Sequence, residues 1–182
     1  MKTKLFVAAA LAMTIGASLP ALGETTQSLS ISDRIEDLPP PVREMRDKLI
    51  AAARTGDVAN LVQLMEAQKE PPQVSFGDPP RDTVAFFKEN SLDGEGRDAL
   101  AALVEILQAP YGLETYGEDQ VYVWPYLAGI DDLGALTPAQ LVDAYQLTSP
   151  QGLKEMIDFG GWFDYRVVIA PDGTWSAFIR GD

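Results

Sequence analysis

The sequence predicts an α+β domain, a helical layer packed on one face of a small antiparallel sheet, and three observations carry that prediction. Trp162 to Ile169 and Thr174 to Arg180 are rich in aromatic and β-branched residues, and the intervening Ala170, Pro171, Asp172 and Gly173 have the chemistry of a tight reversing turn. Leu100, Leu103, Val104 and Leu107 recur at offsets zero, three, four and seven, the spacing of one helix face. Thr137 to Gln140 fit a capping box with proline at the first helical position, and Ser149-Pro150 repeats the device.

Taken in chain order, residues 1–23 read as an export signal. Lys2 and Lys4 form a positive start, Leu5 to Ala17 an apolar run, and Ala21, Leu22 and Gly23 precede the expected cleavage before Glu24. The run is too short to cross a bilayer comfortably, and Gly16 and Pro20 interrupt its end, so cleavage is expected rather than anchoring. No later apolar segment approaches ~20 residues, so no membrane anchor is expected after cleavage. Residues 24–38 are polar and rich in Ser and Thr, and are expected to be a flexible lead-in to a single α+β domain over 39–182.

Pro39, Pro40 and Pro41 stiffen the entry to that domain. Beyond them Val42, Met45, Leu49 and Ala52 recur at helical spacing up to Gly56. Asp57 is placed to cap a second helix bearing Val58, Leu61, Val62 and Met65, and the short link predicts a helical hairpin. Glu70 to Arg81 holds too many prolines for regular structure, and Asp78-Pro79 resembles the start of a short helix carrying Val84, Phe86 and Phe87. A longer helix is expected from about Arg97 to Gln108. Pro110, Gly112 and Gly117 suggest a loop, followed by a short strand over Val121 to Trp124 that supplies a third partner for the C-terminal hairpin. Helices over Pro138 to Leu147 and Pro150 to Phe159 complete the layer. Alternation in the hairpin sets Phe163, Tyr165, Val167 and Ile169 toward the helices.

Composition narrows the chemistry. Of 14 basic residues, loss of Lys2 and Lys4 with the signal leaves 12 against 27 acids, moving the formal charge from −13 to −15. A surface of that sign repels nucleic acid and favours basic partners or divalent cations. The chain has no cysteine and no histidine. Disulfides, thiolate metal sites, cysteine nucleophiles, lipid-modified cysteine and histidine-based triads are thereby excluded.

No catalytic residue, metal ligand set or cofactor is assigned. Asp93 to Asp98 begins like a calcium loop, but Arg97 holds its fifth position, Asp98 the required glycine position, and Val104 the place of the bidentate carboxylate. Asp164 beside Arg166 on one strand face suggests a surface or interface ion pair rather than a catalytic unit. The best candidate ligand-binding residues are aromatic: Trp124, Tyr126, Tyr165 and Trp175 are expected to converge on a groove able to stack sugars or grip peptides.

With Gly94 to Tyr111 (GEGRDALAALVEILQAPY), Val121 to Ala128 (VYVWPYLA), Ala135 to Leu147 (ALTPAQLVDAYQL) and Tyr165 to Asp182 (YRVVIAPDGTWSAFIRGD), the chain resembles a family of uncharacterised exported proteins of alphaproteobacteria. The resemblance implies a periplasmic setting and transfers no activity or functional residue. The expected function is a non-catalytic periplasmic binding or interaction module for a small molecule or an envelope protein or peptide. The alternative is a carboxylate-dependent hydrolase of envelope glycan or peptide, motivated by the abundant acids.

Overall fold

A computed structural model describes residues 27–181; the expected signal, 1–23, lies outside them. Five strands form one antiparallel sheet in the order β1 (Gln27–Ser32), β2 (Tyr111–Tyr116), β3 (Asp119–Trp124), β4 (Arg166–Ile169), β5 (Trp175–Ile179). Spatial order equals sequence order, so the sheet is a meander with two helical excursions. Between β1 and β2 run α1 (Pro40–Ala53), α2 (Val58–Glu66), α3 (Thr83–Glu89) and α4 (Arg97–Gln108); between β3 and β4 run α5 (Pro138–Leu147) and α6 (Pro150–Phe159). The predicted α+β class, with its C-terminal hairpin, is what the chain adopts.

The helices form where local signals place them. Asp57 accepts from the Ala59 amide at 3.0 Å and starts α2. Thr137 and Gln140 make a reciprocal capping box on α5, with Pro138 behind the cap, and Ser149 accepts from Gly152 at the start of α6. One start differs from expectation. α3 begins at Thr83, capped by Asp82 at 2.9 Å from the Ala85 amide, and not at Asp78-Pro79. Pro80 disfavours helical backbone at Pro79, and no helical turn forms before Asp82, the next carboxylate placed to cap one.

Two strands lie where none was expected. Residues 27–32 of the anticipated flexible lead-in form β1, paired along its whole length with β2 from Gln27↔Tyr116 to Ser32↔Tyr111. The anticipated loop after Pro110 is β2, which turns through Gly117-Glu118 directly into β3, with Tyr116 opposite Asp119. Gly112 is a strand residue whose missing side chain admits close neighbours. A Cβ there would lie 2.5 Å from Leu29 Cδ1 and 3.1 Å from Val123 Cγ1. The C-terminal hairpin is shorter than predicted: before β4 the chain bends, and the Trp162 indole donates to the Tyr165 carbonyl at 3.2 Å.

The sheet buries one face against α1, α2 and α4. Tyr111, Tyr122, Trp124, Val167, Ile169, Trp175 and Phe178 pack there on Val42, Leu49, Leu61, Leu103 and Leu107. Val167 and Ile169 point inward as alternation predicts. A second, smaller apolar cluster joins Tyr126, Leu127 and Leu133 to Ala144 of α5, Leu153 and Met156 of α6, and Trp162. Trp162, assigned by alternation to the outward face, is buried there because the bend frees it from strand periodicity.

Candidate functional site

The four aromatic residues expected to line a groove do not form one. Trp124 and Trp175 are fully buried in the main core and Tyr126 in the second cluster. Trp124 packs against the Tyr111 ring at 5.4 Å and the Tyr122 ring at 6.5 Å. The Trp175 indole donates to its own strand, to the Ala177 carbonyl at 2.8 Å. Tyr126 donates to Asp143 at 2.9 Å, and burial together with that carboxylate pushes its phenol well above the ordinary range. Tyr165 alone of the four is half-buried, stacked on Phe178 at 4.8 Å and overlain by Arg180 at 5.6 Å. The physical reason is area: large aromatic rings on the inner face of a sheet contribute most to folding when removed from water.

The acid-rich loop before α4 is organised by its own hydrogen bonds. Asp93 accepts from the Ser91 hydroxyl and from the Glu95 amide at 2.9 Å, and Arg97 lies 3.4 Å from its other oxygen. The Ser91 hydroxyl and these amides pull its carboxyl down to about 2. Asp98 accepts from the Leu92 amide at 3.1 Å. Among the described residues no group of three or more acidic side chains is arranged to hold a metal. Asp164 stands 3.4 Å from Arg180, an ion pair not anticipated from the sequence.

Several cavities indent the surface. One of about 780 Å³ lies open on the outer side of α4, between Arg54, Arg97, Glu105 and Gln146. Another, about 660 Å³, lies between α2 and the proline-rich segment, with Met65, Pro72, Pro80 and Ser176 among its walls. A smaller one, about 180 Å³, is lined by Asp98, Glu105, Asp164, Tyr165 and Arg180. The first two mix charged, polar and apolar walls, and no catalytic pair of groups converges in them.

The asymmetry of the sheet is more informative. The outer edge of β5 is sealed. Gln73 lies parallel to it, accepting from the Phe178 amide and donating to the Ser176 carbonyl, both at 2.9 Å. The Gln68 side chain closes the next position by binding both backbone groups of Trp175. The outer edge of β1 has no strand beside it among the described residues. Its sequence, QSLSIS, contains no lysine, no proline and no charge, and its register with β2 runs without a shift. Edge strands ordinarily carry such devices to block pairing with other chains, and β1 carries none of them. Ser28, Ser30 and Ile31 are exposed.

Acidic groups surround that edge. Glu114 pairs across from Leu29 and accepts from Tyr116 at 2.6 Å, and Gln27 reaches the same phenol at 3.5 Å. The Glu114 hydrogen bond, with burial and the charge of Asp131, pushes Tyr116 up to about 12. Sequence reasoning missed this surface because a short polar segment carries no strand signal of its own. The Gly117-Glu118 pair between the alternating Leu113, Thr115 and Val121, Val123 was the available clue to β2, and β2 creates β1.

No protein-family model, curated protein or solved structure matches this chain.

Proposed function

We propose that this chain is an exported, non-catalytic interaction module of the bacterial periplasm, and that it engages its partner through the bare edge of β1. The observation that carries the reading is the contrast between the two sheet edges: β5 is sealed by Gln68 and Gln73, while β1, a neutral and largely exposed strand, has no strand on its outer side among the described residues. Export is supported by the signal-like residues 1–23. Carboxylate-dependent hydrolysis is the alternative reading: Asp98, Glu105 and Asp164 line one small cleft, but Asp164 is paired there with Arg180 at 3.4 Å and Asp98 accepts from the Leu92 amide at 3.1 Å.

Photo-crosslinking in living cells tests the reading. A photoreactive residue at Ser30, on the open edge, is expected to give discrete covalent adducts in the periplasmic fraction, whereas one at Ser176, on the sealed edge, gives none. Equal labelling from both positions, or none from Ser30, removes the proposal. N-terminal sequencing of the same material is expected to begin at or near Glu24.

A further inference from the structure

We infer that the segment received by β1 is an extended, basic polypeptide of another protein, added as a sixth strand. This rests on the reading of β1 as the binding edge and adds the chemistry of its partner.

The backbone of β1 supplies affinity to any extended chain, so the partner's identity must come from side chains and charge. Along β1 the side chains alternate: Leu29 and Ile31 on one face, Ser28 and Ser30 on the other. A strand laid beside it therefore places aliphatic residues next to Leu29 and Ile31 and small polar ones next to the serines. Every strand pair in the sheet is antiparallel, and antiparallel addition continues that pattern.

Charge decides the rest. Between Arg97 and Lys154 the chain contains no basic residue, and eight acids fall in that interval, which includes both β2 and β3. Glu114, Glu118, Asp119 and Asp131 stand at the end of the sheet where β1 begins, and Asp33 follows directly where it ends. Arg34, the next base along the chain, is already held between Glu36 and Asp37, each at 3.3 Å. An approaching lysine- or arginine-bearing segment meets an excess of acids near both ends of β1, which speeds encounter and opposes acidic competitors. A second copy of this chain presents the same sign of charge at the same edge, so self-pairing through β1 is electrostatically opposed.

Two synthetic peptides of about ten residues, alternating valine with threonine and ending in lysines or in glutamates, separate the outcomes. The purified protein is titrated with each at low and at high salt, and amide hydrogen exchange is followed along β1. The lysine peptide is expected to protect β1 and to bind at least about tenfold more tightly than the glutamate peptide, the difference shrinking as salt rises. Ser28→Lys/Ser30→Lys, at two exposed positions, is expected to abolish lysine-peptide binding, and Glu114→Gln/Asp131→Asn to weaken it while flattening its salt dependence. Equal binding of both peptides with β1 protected overturns the basic partner and leaves the edge reading standing. Failure of both peptides to protect β1 overturns the edge reading itself. Protection of β1 that rises with protein concentration and without peptide assigns the edge to a second copy and overturns the inference.

Discussion

The side-chain amide of Gln68 pairs with both backbone groups of Trp175: Oε1 accepts from the Trp175 amide at 2.8 Å, and Nε2 donates to the Trp175 carbonyl at 3.2 Å. A single glutamine thus substitutes for a strand residue at the end of β5. The chain immediately after it, carrying Gln73, continues the seal along the same edge.

Gln68→Ala leaves both backbone groups of Trp175 without these partners at a part-buried site. The expected loss is about 1–3 kcal/mol in urea unfolding. Gln68→Glu keeps an acceptor for the amide but sets a carboxylate against the carbonyl, and is expected to be no better than alanine. Stability unchanged in both variants would show that water replaces the amide without loss.

The two buried tryptophans should respond differently to phenylalanine. Trp175 donates to Ala177, whereas the Trp124 indole nitrogen is buried with no hydrogen-bond partner among the described residues. Both are fully buried, so both variants lose packing. Trp175→Phe additionally loses a hydrogen bond, and is expected to be more destabilising than Trp124→Phe by about 1 kcal/mol in chemical denaturation. The reverse order would count against the hydrogen-bond account.

Asp93 gives the protein an acid-sensitive loop. Its carboxyl is lowered from 3.8 to about 2 by the Ser91 hydroxyl and backbone amides. A folded-state pKa below the unfolded one contributes stability that is present above the unfolded value and lost as pH falls through the folded one. The window therefore runs from about 4 down to about 2. Melting temperatures measured across it should fall more steeply for the wild type than for Asp93→Asn. Parallel curves would remove the assignment.

Tyr116 reports on the acidic end of the sheet. Its phenol, raised to about 12 chiefly by donating to Glu114, should ionise late in an ultraviolet titration. For a raised acid the neutral form is the one the fold favours, so this contribution is present below the ordinary value near 10 and is lost as pH rises through the folded one. Glu114→Gln retains a side-chain acceptor and removes the charge, and is expected to bring the titration down toward 10. An unchanged midpoint would locate the cause elsewhere.

Much of the helical layer is legible in the amino-acid sequence. The limits of α4, α5 and α6 coincide with their sequence signals; for α5 and α6 this is because Thr137, Gln140 and Ser149 bond to amides three residues away and Gly160 ends α6 on the Met156 and Ile157 carbonyls. The aromatic residues are not legible in the same way. Trp124 and Trp175 are equally good groove residues or core residues by type, and only the side of the sheet on which they fall distinguishes the two.

The α+β class, the capped helices, the C-terminal hairpin, the absence of cysteine and histidine, and the acidic charge balance all follow from the sequence, since each depends on composition or on contacts within a few residues. It takes the folded chain to make Gln27 to Ser32 a strand, to put the tryptophans inside, and to close one sheet edge while the other has no strand beside it among the described residues. A helix satisfies its backbone within its own turn, whereas β1 draws its hydrogen bonds from β2, whose Tyr116 stands opposite Gln27 across the whole first helical excursion. Whether a polar segment becomes an edge strand is settled by that distant partner.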